Sequence, residues 1–507
     1  MKLVTKETNV ERQAAHQEAI NSGNKALANV SKSIANDPHR LHYHFMPPVN
    51  WMNDPNGLVY YKGEYHLFYQ HNPYSPKWGP MHWGHAKSKD LVHWEHLPIA
   101  LAPSEWYDKG TLDSHGCWSG SAVDDNGVLT LIYTGHVEDN KIKETQCIAR
   151  SEDGIHFEKY EGNPVIAEPP EKDCVGFRDP KVWKYEDQWY MVVGSGKNGN
   201  GKIHLYRSAN LKSWMYMGVA AESDGTFGDM WECPDLFQLK DRHFLIISPM
   251  NISARNMYFT GEMNYETGKF DYHYHDMLDY GYDFYAAQTL VDDQNRRILM
   301  AWMESWGSKA ITEAPNRGWL GAMTIPRELI QGEGGKLYMR PVEELKLLRE
   351  MYYALGSHTI ESGQISINGF RSVSYELKAR IEFTADVKEF GIKLRCSDDG
   401  KEETVVTYRV EDRQLLMKRD YEGTGNQHIS ISPLECKDGS IKLHIFVDTS
   451  SVEIFANEGE RVITNRIYPS KGSDGLRIFA DGGYVKFELE AWTLRNIWGS
   501  GKEREVA

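Results

Sequence analysis

Three acidic residues stand out by type and setting: Asp54 in NWMNDPNGLVYY (50–61), Asp179 in FRDP (177–180) and Glu232 in WECPD (231–235). Each has a plain structural reading. Asp, Pro, Asn and Gly all favour turns, for different reasons, so Asp54 could shape a turn before Pro55. Asp179 could pair with Arg178 or cap the turn before Pro180, and Glu232 could be a strand-end charge. The reading changes if the three share one place. Like charges at close range raise one another's pKa, so a fold with no use for such an arrangement should avoid it. Two carboxylates in an aromatic cleft are the machinery of glycoside hydrolysis: one protonates the leaving oxygen, and the other attacks the anomeric carbon or activates water. Aromatic rings offer flat faces to sugars, while Asn53, Gln70, Ser119 and Arg178 offer hydrogen bonds to hydroxyls.

Whether the acids meet depends on the elements that carry them. Five 18-residue windows, 53–70, 118–135, 177–194, 231–248 and 285–302, share one pattern. Small, polar or charged residues lead into a short apolar strand, a polar turn (KGE, DNG, EDQ, KDR, DDQN) and a strongly apolar strand, which is a β-hairpin. Their starts are 65, 59, 54 and 54 residues apart. A second repeat, SKDLVHW (88–94), SEDGIHF (151–157) and SANLKSW (208–214), marks a turn into an outer strand. All-β repeats of this length predict a propeller, and five units predict five blades. Equivalent strands of a propeller surround one axis. Asp54, Ser119, Asp179, Glu232 and Gln288, near the window starts, are therefore expected at one opening of the channel.

After KLYMRPVEELKLLRE (336–350) the pattern becomes period-two strands between charged turns, as in SVSYELKARIEF and VKFELEAWTL. This predicts an antiparallel β-sandwich of about 150 residues. The N-terminal stretch is rich in helix formers with apolar residues three or four apart (ERQAAHQEAI, NKALANVSKSIAND), predicting one or two short helices. The expected plan is all-β: a helical extension over 1–40, a five-bladed β-propeller over 41–345 and a β-sandwich over 346–507.

The 507 residues carry a net charge of -15, with 15 Trp and 28 Tyr. That balance argues against nucleic acid or an anionic membrane as the main partner, and no apolar run is long enough to cross a bilayer. The first residues, MKLVTKETNVERQAAHQEAI, lack the apolar core of a secretory signal, so a cytoplasmic protein is expected. Its six cysteines (117, 147, 174, 233, 396, 436) include no CxxC pair and are expected as free thiols. HYH at 42–44 and 273–275 puts two histidines on one strand face, but no third ligand follows at a recognisable spacing, so neither a metal nor another cofactor is expected. The oligomeric expectation is a monomer or homodimer.

WMNDPNG, FRDP and WECPD, in that order, resemble the signatures of glycoside hydrolase family 32, the β-fructosidases and invertases. The resemblance runs from about His42 to the chain's end and includes WSGSAV, FYAAQTL and SVEIFANEGERVITNRIYP. It implies a five-bladed propeller followed by a sandwich, in agreement with the repeats. It also implies roles: Asp54 as nucleophile, Glu232 as general acid/base, and Asp179 as the residue that holds fructosyl hydroxyls and stabilises the transition state. Asn53, Gln70, Trp78, Ser119, Arg178 and Trp302 fall where the family contacts substrate, and Trp51, Trp118 and Tyr285 are added to that set. The implied substrate is a small sugar, sucrose or sucrose 6-phosphate, cut with retention; Glu232 is expected to gain acidity control from burial beside Trp231. Other readings are a fructan exo-hydrolase, an inverting arabinofuranosidase and an inert sugar-binding propeller.

Overall fold

The computed structural model describes residues 8–30, 34, 37–253, 255–306, 308, 317–419, 428–437 and 439–498. The chain is a five-bladed β-propeller followed by a β-sandwich, with a short helical N-terminal extension. It divides into two compact units, one drawn from 1–35, 46–278 and 285–323 and the other from 36–45, 279–284 and 324–507. The first unit ends at 323.

In the first unit all five expected hairpins form: Asn50–Tyr61 with Glu64–Asn72, Gly116–Asp125 with Val128–His136, Phe177–Tyr185 with Gln188–Lys197, Trp231–Leu239 with Arg242–Pro249, and Tyr285–Val291 with Arg297–Trp302. The first strand of each hairpin lies innermost, each touches the next, and the fifth touches the first. The second repeat makes the turn from third to fourth strand in three blades. In the first of these, Asp90 Oδ1 accepts the backbone N–H groups of Val92 (3.0 Å) and His93 (2.8 Å); Asn210 Oδ1 does the same for Lys212 and Ser213. That is an Asx turn, and it explains why Ser-x-Asp/Asn recurs.

The ring closes through Trp319–Leu320, which pairs in parallel with Asn50 and Trp51. Gly321 follows with φ of +94°, and a Cβ there would sit 2.1 Å from the Met52 carbonyl oxygen. Only glycine allows that approach.

The N-terminal extension is one 22-residue helix, Asn9–Val30. Thr8 and Glu11 make a reciprocal capping box at its start. Its apolar side buries Ile20 against Ile99 and Ala102. Arg12 pairs with Glu105 at 2.9 Å, and Gln13 donates to the Lys159 carbonyl. Residues 24–30, the start of the stretch expected to carry a second helix, continue this helix, and 31–33, 35 and 36 lie outside the described residues.

The second unit holds two six-stranded antiparallel sheets facing one apolar core that includes Phe390, Ile445, Ile454 and Phe487. Period-two strands such as Tyr375–Phe383 supply that core from one face. Here His44, the last histidine of the first HYH triplet, lies fully buried between Asp448 and Glu453, 2.8 Å from each. The second triplet's His273 and His275 lie on the exposed side of the Lys269–Met277 strand.

Candidate active site

Each innermost strand loses register against its partner near its start. The ladder skips between Met52 and Pro55, Trp118 and Gly120, Arg178 and Lys181, Glu232 and Asp235, and Tyr285 and Gln288. These are β-bulges, which add a residue and re-aim side chains. Asp179, Cys233 and Ala286 adopt positive φ there (63°, 49° and 55°). Proline suits such places because it has no N–H to donate to the ladder, and Pro180 and Pro234 lie within their bulges.

The bulges sort the site into two arcs. Bulge residues form the first. Ser119 Oγ donates to Asp54 Oδ2 at 2.6 Å, and Asn53 Nδ2 donates to Asp54 Oδ1 at 3.1 Å. The Cys233 N–H donates to Asp179 Oδ2 at 2.9 Å, and its thiol lies 3.7 Å from Asp54 and 3.6 Å from Asp179. Residues just before the bulges form the second arc. The Arg178 guanidinium lies 5.9 Å from the Trp118 ring and donates twice to Glu232 Oε1, at 2.9 and 2.7 Å. The Tyr285 hydroxyl donates to Glu232 Oε2.

The electrostatics of the arcs differ. Burial, opposed by the Ser119 hydrogen bond and reinforced by the charge of Glu232, pushes Asp54 up to about 6. Burial and the charge of Glu232 push Asp179 up to about 8, against the pull of Arg178. In the second arc, Glu144 shares Arg178 with Glu232 at 3.1 Å; burial works against its charge, yet Arg178 and His136 hold Glu144 down at about 2. Burial and then the charge of Glu232 keep the Tyr285 hydroxyl well above its ordinary range, so it remains a donor.

These groups line one cavity of about 1380 Å³ in the propeller unit. Asn53, Asp54, Gln70, Trp78, Trp118, Ser119, Arg178, Asp179, Glu232 and Tyr285 all reach it. Trp78 is 37% exposed at its edge, and Trp118 stacks flat on His136 with ring centroids 3.6 Å apart. Trp51 and Trp302, expected as sugar contacts, do not line it: they are 1% and 0% exposed. Trp51 instead donates to Asn53 Oδ1 at 2.6 Å, bracing the residue that braces Asp54. Gln288 lies past its bulge, 3.4 Å from the buried Lys181 ammonium, and Tyr285 takes the fifth blade's place at the cavity. Trp231 does not flank Glu232 as expected. Successive strand residues face opposite ways, so its indole packs on Phe259 in the blade core and donates to the Phe227 carbonyl.

Among the lining residues that escaped the sequence reading are Trp306, Glu144 and His136. Trp306, 45% exposed, stacks on Trp51 at 5.8 Å. Its only sequence signal was an aromatic four residues past the fifth hairpin. Glu144 and His136 hold the second arc from the second blade, and nothing local marked them.

Residues 44–341 match the Glycosyl hydrolases family 32 N-terminal domain, and residues 344–493 match Glycosyl hydrolases family 32 C terminal. The chain is 41% identical to the sucrose-6-phosphate hydrolase of Escherichia coli, over 94% of this chain and 99% of that one. It is 39% identical to the enzyme of that name from Bacillus subtilis (strain 168), over 91% and 95%. Among solved structures, a GH32 beta-fructofuranosidase from Bombyx mori matches with TM-score 0.81 and 36% identity, over 95% of this chain and 99% of that one. The sucrose-6-phosphate hydrolase from Lactobacillus gasseri matches with TM-score 0.81 and 27% identity, over 97% and 100%. Both domains, in order and nearly end to end, make this chain a member of glycoside hydrolase family 32.

Proposed function

We propose that the protein is a β-fructofuranosidase that hydrolyses sucrose or sucrose 6-phosphate with retention of configuration. The observation that carries this reading is the convergence of Asp54, Asp179 and Glu232 on one cavity, with Asp54 and Glu232 held by different sets of donors. Glu232 gives its proton to the glycosidic oxygen as Asp54 attacks the anomeric carbon of fructose. The glycosidic bond breaks, the glucosyl product leaves and an ester to Asp54 remains. Water then attacks the same anomeric carbon, its proton passes to Glu232, the Asp54 carboxylate leaves and fructose departs. Asn53 and Ser119 aim the two oxygens of Asp54, one each. Tyr285 and Arg178 occupy the two oxygens of Glu232, so one donor has to yield before Glu232 can carry the proton it donates. Asp179, anchored by the Cys233 N–H, is placed to accept from fructosyl hydroxyls.

The related enzymes named for sucrose 6-phosphate support a phosphorylated substrate, and the sucrose-bound Bombyx mori variant supports the disaccharide core. Proton NMR of the first-formed product tests the mechanism. β-Fructofuranose appearing before mutarotation supports it, whereas the α anomer overturns it. The ratio of kcat/KM values for sucrose 6-phosphate and sucrose decides between the two substrates. A cytoplasmic setting and a monomeric or homodimeric state belong to the same proposal; cell fractionation and sedimentation velocity test them.

A further inference from the structure

The loop that forms one wall of the sugar cavity carries a second constellation. Glu171 and Cys174 lie on this loop, and His204 lies on the third blade's Asn200–Ser208 strand. A carboxylate oxygen, the thiol sulfur and an imidazole nitrogen come within 4.8 Å of one another. No sequence spacing announces the set, because the histidine is 30 residues away on another element. His204 is fully buried, and its Nε2 has no hydrogen-bond partner among the described residues. The other ring nitrogen, Nδ1, lies 3.1 Å from the Tyr216 hydroxyl, which fixes the plane of the ring. A buried nitrogen left open, with its ring oriented through the opposite nitrogen, is how metal-binding histidines are held. Glu171 Oε2 is likewise buried and accepts no hydrogen bond.

We propose that Glu171, Cys174 and His204 bind a thiophilic divalent cation of the Zn²⁺ class. Thiolate, imidazole and carboxylate together are the donor set that Zn²⁺ favours, and three protein ligands leave a fourth position for water. Lys202 and Lys197 stand 3.6 and 3.7 Å from Glu171 Oε2 and balance its charge in the metal-free protein. Both ammonium groups have to withdraw as the ion enters. Lys202 already has another acid, Glu222, at 3.1 Å. Binding releases the Cys174 thiol proton to solvent, and the ion ties the cavity wall to the third blade.

Co²⁺ is the probe, because a cobalt–thiolate bond absorbs in the near ultraviolet while nitrogen and oxygen ligands alone do not. Titrated into the full-length, metal-free protein, Co²⁺ should raise that band to a plateau at one equivalent, and one equivalent of Zn²⁺ should erase it. Cys174→Ser should abolish the band, and His204→Gln should weaken Co²⁺ binding at least about tenfold. Circular dichroism in metal-free buffer checks that both variants fold. As a second measurement, Zn²⁺ should raise the Tm of the parent protein and leave that of Cys174→Ser unchanged. Absence of the band in the parent protein, or its persistence in Cys174→Ser, overturns the proposal.

Discussion

In the propeller unit, Asp54 and Asp179 lie buried beside Glu232, and both are pushed up from the ordinary carboxylate range. In the sandwich unit, Asp448 and Glu453 are buried at least as deeply, yet burial loses there: His44 holds Asp448, and Arg327 with His44 holds Glu453, below the ordinary range. Glu453 has His44 at 2.8 Å and accepts from Arg327 and from the Ile325 N–H. Arg327 also donates to Asp279 at 2.9 Å and to Thr464 at 2.6 Å. The sandwich cluster meets each acid with a cation or donor, as a buried charge requires. The propeller cluster supplies neutral donors for two of its acids and one shared guanidinium for the third. Low-dielectric burial without full compensation leaves carboxylates ready to exchange protons near neutral pH. One cluster serves stability and the other reactivity.

Substitutions should separate the two. Asp54→Asn removes the carboxylate proposed to attack and should lower kcat by about 10⁴-fold or more. Fructose release under saturating substrate measures it, and a loss below tenfold would mean another nucleophile. Arg327→Met strands Asp279 and Glu453 without their cation, and should cost about 3–5 kcal/mol in denaturant unfolding; an unchanged midpoint would erase the contrast. Tyr285→Phe takes a hydrogen bond from Glu232 and should reduce kcat/KM by roughly 10–100-fold through acid–base transfer, with far-UV circular dichroism unchanged.

The smallest effect bears most directly on the comparison. A carboxylate whose folded pKa is raised adds stability below its unfolded pKa and loses it as pH rises through the folded value. Asp54, raised to about 6, therefore burdens the folded state above pH 6. Asp54→Asn should be about 1–3 kcal/mol more stable than the parent at pH 7–8, and the gain should vanish below about pH 4. Replacing Asp448 with Asn should do the reverse, destabilising at neutral pH, with the difference shrinking as acid protonates the parent. The same value predicts an acidic limb near pH 6 in kcat/KM, because Asp54 in the proposed role must be ionised to attack.

The repeat and the three acids were legible in the sequence because hairpins write period-two patterns, and a propeller makes equal spacing into convergence. The bulges were only hinted at. A strictly alternating strand would send Asp54 and Asn53 to opposite faces, and only the Asp-Pro and Cys-Pro pairs signalled otherwise. Trp231 misled for the same reason: adjacency in sequence looked like adjacency in space, but it sits before the bulge and faces the blade core. Trp51 and Trp302 were read as sugar contacts from their motifs, whereas their burial makes them braces. Glu144, His136 and Trp306 reach the site from other turns of the chain, and no local pattern encodes that. In the sandwich, His44 stood out only as one histidine of HYH, since its partners come more than 400 residues later.

The closing strand at Trp319–Leu320 sets an order on the molecule's birth. The strand that carries Asp54 gets its last neighbour only when residues roughly 270 positions downstream have been made. At typical synthesis rates of about 5–20 residues per second, that delay is some 15–50 s. Throughout it, that strand presents an unpaired edge to the cell. A nascent chain halted shortly before 319 would hold four blades and all three cavity acids, Asp54, Asp179 and Glu232, yet have no closed ring to hold them in register.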